Sequence, residues 1–151
     1  MESNNRSLTL SLILTKLLMA AVILMDIAAF RIVRIYDDYK VIPLGLPSIL
    51  SELLVTLYAA SVPALAAMAV LNKLLLNIKK GIVFDIANVK ILRLISYMCF
   101  AEGLIFFAFG LYRPLSFAIS AAAVFFGLIM RVLKNVFAAA VSIKEESDLT
   151  I

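Results

Sequence analysis

Four long apolar runs, each close to the length at which a helix crosses a lipid bilayer, constrain this chain more than any other feature of its sequence. A hydrocarbon core of about 30 Å takes roughly 20 helical residues at about 1.5 Å each. The runs extend about Leu8 to Ile35, Ile49 to Leu71, Ile91 to Leu111 and Leu115 to Val136. Composition agrees, because 64% of the 151 residues are hydrophobic, only 16% are charged, and the mean hydropathy is +1.08. That is more apolar surface than a soluble domain of this size buries. The expected fold class is all-α, an integral membrane bundle of four transmembrane helices forming one domain over residues 1–151.

The same features exclude a soluble enzyme, a disordered regulator and a secreted disulfide scaffold, since the one cysteine cannot form an internal bridge. With no histidine, the chain also offers no imidazole base, no Cys/His metal cluster and no Cys/His dyad. No enzymatic activity, cofactor or metal site is expected. Glu2 weakens a basic leader, and the first run outlasts the apolar part of a signal peptide, so it reads as a retained span.

Lysine and arginine distribute unevenly between the two sides. Counting the flanking ends of the spans, ten lie toward the amino terminus, the second loop (72–90) and the tail (137–151), among them Lys16, Arg93, Arg131 and Lys134, against four (Arg31, Arg34, Lys40 and Arg113) toward the first and third loops. The excess places both termini and the second loop in the cytoplasm of a multi-pass protein of the bacterial plasma (inner) membrane. Topology then accounts for the net charge of +4, and direct nucleic-acid binding is not expected. In the third loop, Pro114 cannot continue a helix but can open one, so spans three and four should form a tight hairpin. The first outer loop, YDDYKVIPLGLPS, carries Pro43, Gly45 and Pro47 and should be extended or turning, with Asp37 and Asp38 in a solvated turn.

Small residues should mark where spans meet, because lipid tails are as apolar as leucine and association relies on close backbone approach. Span two has Ala60 and Ala64, with Ala59, Pro63 and Ala67; span three has Gly103 and Gly110; span four has Ser116, Ser120, Ala123 and Gly127. Pro63 should kink span two, as a shape needed for packing. Phe100, Phe106, Phe107, Phe109, Phe125 and Phe126 would face lipid or fill wider parts of the bundle.

Charges inside the spans are the candidate functional groups. Glu102 sits near the centre of span three, about eleven residues from either end. Its ionised form is costly in hydrocarbon, so it must face the bundle or water, find a donor, or hold its proton. Asp26, Glu52 and Arg31 lie toward the outer half, where Arg31 can neutralise Asp26 or Glu52. Two readings follow: a proton or cation path with Glu102 as carrier, or structural glue with Glu102 bonded to a neighbouring Ser or Tyr. Glue is the more economical, since a path needs more polar groups at mid-depth.

The second loop is the most distinctive stretch. Gly81 suits the left-handed end of a helix after Lys79 and Lys80, and Asp85 is an N-cap for the next helix, with Asn88 at its third position and Phe84 just before the cap. Spans two and three should therefore extend past the bilayer as a helical hairpin, whose basic residues, Arg93 among them, can meet anionic lipid.

The pattern GIVFDIANVKILRLI, together with the closing VLKNVFAAAVSIKEESDLTI, resembles a bacterial four-span family known as domain of unknown function 2975 (DUF2975), over most of the chain. The matching positions are Gly81, Phe84, Asn88, Leu92 and Arg93 in the loop, and Glu145, Glu146, Asp148, Leu149 and Thr150 in the tail. Asp85 stands where a Thr is expected after the Phe, and both residues cap helices. The resemblance implies no chemistry. It does imply a partner, because members are often encoded beside a small helix-turn-helix regulator. Glu145, Glu146 and Asp148 are candidate contacts for such a protein; the competing reading is a frayed helix end whose acids pair with loop lysines. The combined expectation is a non-enzymatic membrane partner or sensor for a cytoplasmic helix-turn-helix regulator, with the lipid bilayer and a homo-oligomer as further partners. A small transporter or ion-coupled channel component is the alternative.

Overall fold

The computed structural model describes every residue except Met1, Ile42, Leu46, Pro47, Ile49 and Ile151, and only the backbone of residues 2–5, 40 and 41. Its four long helices are α1 (Glu2–Tyr36), α2 (Leu50–Lys79), α3 (Ile86–Gly110) and α4 (Ser116–Leu149). All four are long and apolar enough to cross a membrane, and the chain is a multi-pass membrane protein of the all-helical class. At about 1.5 Å per residue even α3 exceeds the bilayer core. The excess length lies at the end of the bundle that carries Gly81, where α2 and α3 run past the apolar runs of the sequence.

Short connections make successive helices antiparallel neighbours, and packing follows chain order. The α3–α4 contact is the most extensive, followed by α2–α3 and α1–α2. Among the described residues no comparable contact joins α1 to α4, so the bundle is open along that seam. The best-buried apolar cluster lies toward the Gly81 end, where Leu74 of α2 meets Ile91, Leu92 and Ile95 of α3, flanked by Met130 and Phe137 of α4. Elsewhere large apolar side chains point outward: Ile27 is 76% exposed and Leu104 71%. Hydrocarbon is a suitable surrounding for such a surface; water is not.

The α3–α4 seam shows what the small residues accomplish. Buried Ser96 of α3 donates to the Gly127 carbonyl at 2.8 Å, and buried Ser120 of α4 donates to the Gly103 carbonyl at 2.7 Å. A Cβ on Gly127 would lie 2.9 Å from the Phe100 ring, and one on Gly110 2.6 Å from the Phe117 ring. The glycines therefore set the approach of the two backbones. Pro63 is buried within a continuous α2, where it removes one backbone donor.

Beyond its apolar run α4 continues through the tail to Leu149, because the Ala-rich, Lys/Glu-containing sequence favours helix. Two expectations need correction. In the first outer loop, Asp37–Val41 extends α1 as a π-helical turn, and the chain turns at Pro43–Gly45, with Gly45 at φ 68°. Asp37 is not solvated but 5% exposed, and accepts a hydrogen bond from Ser48 Oγ at 2.5 Å, which ties the loop back to the helix end. Pro47 and Ile49 lie outside the described residues.

Candidate functional site

The open seam between α1 and α4 contains a pocket of about 410 Å³ floored by α2 and α3. Its α1 wall is formed by Val22, Met25, Asp26 and Ala29, which recur at helical spacing and so share one face. Ala60, Ser61 and Ala64 of α2 and Ala122 and Ala123 of α4 keep the space open because their side chains are short. Glu102 and Phe106 supply the α3 contribution. Asp26 lies ten residues before the end of α1 and Glu102 eight before the end of α3, which places both about 12–15 Å along their helices from that end. Two acidic residues from different helices thus line one apolar pocket at membrane depth.

Neither acid is fully served by the protein. Glu102 Oε2 is buried without a hydrogen-bond partner. Ser61, on the pocket wall, donates instead to the Tyr58 carbonyl at 3.0 Å. Tyr58 reaches α1, but its hydroxyl donates to the backbone carbonyl of Asp26 at 3.2 Å and leaves the carboxylate alone. The expected bond from a neighbouring Ser or Tyr to Glu102 is absent at Oε2.

The other intramembrane candidates lie apart from this pair. Arg31 is exposed. It is five residues from Asp26, about 140° around the helix at about 100° per residue, so it does not neutralise that acid. Glu52 is half-buried, accepts from Ser51 Oγ at 2.9 Å, and lines a different cleft of about 470 Å³ with Thr56, Phe109 and Tyr112. The proposed network of Arg31 with Asp26 or Glu52 is not formed. Arg113, at the turn between α3 and α4, keeps Nε and an Nη buried without partners.

The motif at the opposite end has a structural explanation. Gly81 adopts φ 80°, Gly81 N–H donates to the Ile78 carbonyl, and Ile82 N–H donates to the Asn77 carbonyl, which closes the end of α2. Asp85 caps α3 by accepting from Ala87 N–H at 2.6 Å. Asn88 is fully buried; its Nδ2 donates to the carbonyls of Ile82 and Val83, both at 2.8 Å, and its Oδ1 accepts from Asn77 Nδ2 at 2.7 Å. The Ile82 and Val83 carbonyls and the two Asn side chains are thereby partnered at the turn. Phe84 packs against Phe137 of α4, ring centroids 5.8 Å apart, and Arg93 is exposed. Lys79 Nζ donates to Thr9 Oγ1 at 3.1 Å, which links this corner to α1.

Residues outside the sequence candidates also matter here. Asn77 completes the Asn88 network, and its only sequence signal is a polar residue two before the helix-ending pair of lysines. Arg131 lies over the rings of Tyr97 and Phe100, at 5.4 and 5.9 Å from their centroids, and donates to Tyr97 OH at 3.4 Å. That placement offsets the cost of a guanidinium near the apolar core. Glu145, Glu146 and Asp148 are exposed on the last turns of α4.

No curated protein and no solved structure matches this chain. A family described as "Protein of unknown function (DUF2975)" matches over residues 5–151.

Proposed function

The chain belongs to the DUF2975 family, and we propose that it is a non-enzymatic membrane partner of a cytoplasmic helix-turn-helix regulator. Lysine and arginine are concentrated at the Gly81 end, which orients that end and both termini toward the cytoplasm of a bacterial inner membrane. The observation that carries the reading is α4. It remains helical to Leu149 and presents Glu145, Glu146 and Asp148, all exposed, on a helical extension. A helical acidic surface costs less ordering entropy on binding than a frayed one, and its charge complements a basic, DNA-binding protein. The Asn88 hairpin beside it is closed upon itself and acts as the rigid base from which α4 projects.

The test is co-purification of a helix-turn-helix protein, where the neighbouring reading frame encodes one, with detergent-solubilised full-length protein. The expected result is co-purification with the native chain and loss on Glu145→Lys, Glu146→Lys and Asp148→Lys together. Equal recovery with and without the substitutions removes the α4 end as the docking element. The transporter alternative draws only on Asp26 and Glu102, whose pocket adds one hydroxyl, that of Ser61, to an otherwise apolar lining.

A further inference from the structure

The α1–α4 pocket is not used by the partner reading, and its contents are unusual for a lipid-facing cleft. An acyl chain needs only apolar walls, and a lipid headgroup sits at the interface, not 12–15 Å along the spans. Two acidic residues lining such a space are costly in their ionised form, and they either hold their protons or are matched by a positive charge that enters with the ligand. The protein's own nearby cation does not do this, because Arg31 is exposed away from the pocket face of α1. Asp26 and Glu102 also come from helices that are not chain neighbours, so the pair exists only because α1 and α4 stay apart. The volume of about 410 Å³ is within the range of small-molecule sites, which runs from about 300 to 1,000 Å³.

We propose that this pocket binds a lipophilic monocation, an apolar body bearing one amine or onium charge, with Asp26 and Glu102 as its anionic contacts. The ligand partitions into the bilayer and enters sideways through the α1–α4 opening. Its apolar part lies against Met25, Phe106 and Ile119, while the alanines of α2 and α4 provide room. Ordinary membrane lipids are disfavoured by the half-buried acids, and apolar anions are repelled by them when ionised. The proposal requires no cytoplasmic partner and stands or falls independently of the regulator reading.

The test uses the purified full-length chain in lipid nanodiscs and two probes of closely similar shape and opposite charge, tetraphenylphosphonium and tetraphenylborate. Saturable binding is expected for the cation alone, weakened at least tenfold by Asp26→Asn and by Glu102→Gln. Ala122→Phe, on an exposed wall of the pocket, keeps both acids and fills the space, and should abolish binding with the thermal transition unchanged. It serves as the deciding variant where a carboxylate substitution impairs folding. Equal binding of the two probes, or cation binding that survives Ala122→Phe, overturns the proposal and leaves a lipid cleft. A stable dimer that takes up cation only after Arg31→Gln also overturns it, since the acids then serve a second copy.

Discussion

Ser120 of α4 donates its hydroxyl proton to the carbonyl of Gly103 on α3, and seven residues along each helix the arrangement recurs in reverse, with Ser96 of α3 donating to Gly127 of α4. The two antiparallel helices are thus related by a local two-fold axis between the bonds. Serine hydroxyls serve as short donors that do not hold the backbones apart, and glycine lets each carbonyl come within reach. Interhelical hydrogen bonds within membranes contribute about 0.6 kcal/mol on average and at most about 1.7.

Ser96→Ala or Ser120→Ala should therefore each destabilise the protein by about 0.5–1.5 kcal/mol. Gly127→Leu should cost more, about 1–3 kcal/mol or above, because the Phe100 ring must move aside. Denaturant unfolding in detergent micelles measures both, and a glycine variant no less stable than the serine variants contradicts the close-approach account.

Asn88 should be the most sensitive residue of the hairpin. Asn88→Leu leaves the Ile82 and Val83 carbonyls and the Asn77 amide without their partners, at a cost of about 2–4 kcal/mol. Asp85→Ala should cost about 1 kcal/mol through loss of the cap, and Gly81→Val about 1–2 through its left-handed backbone. The same unfolding measurement ranks the three, and an Asn88 variant as mild as the cap variant removes the network as the central fastening.

Orientation is tested with single cysteines in a Cys99→Ala background. Tyr112→Cys and Ile143→Cys place exposed thiols at opposite ends of the bundle. An impermeant maleimide should label position 112 in intact cells and position 143 only after permeabilisation. The reverse pattern inverts the topology.

Reversal of the three α4 acids should leave the fold intact. The side chains are exposed, and surface substitutions of this kind change stability by about 0.5 kcal/mol or less. The thermal transition of the triple Lys variant should match the native one even as regulator recovery is lost, and a large drop in stability shows instead that these acids hold the bundle together.

Much of this protein was readable along the chain, because the features concerned are local. Apolar runs of bilayer length fix four helices whatever their partners, and Gly81 and Asp85 mark a helix end and a helix start through φ preference and side-chain capping alone. The apolar run of α4 ends near Val136 while its helix propensity does not, so the span and the helix have different lengths. Charges were harder to place, since a helical position does not say which neighbour it faces. Asp26 and Arg31 are close in sequence and divergent in space; Asp26 and Glu102 are distant in sequence and share a pocket. Sequence therefore determined the number, length and capping of the helices, which depend on backbone hydrogen bonding within each segment. Only the tertiary structure decided which helices touch, that α1 and α4 leave a gap, and that two acids line it, because contacts between helices depend on the rotation and approach of whole rigid elements.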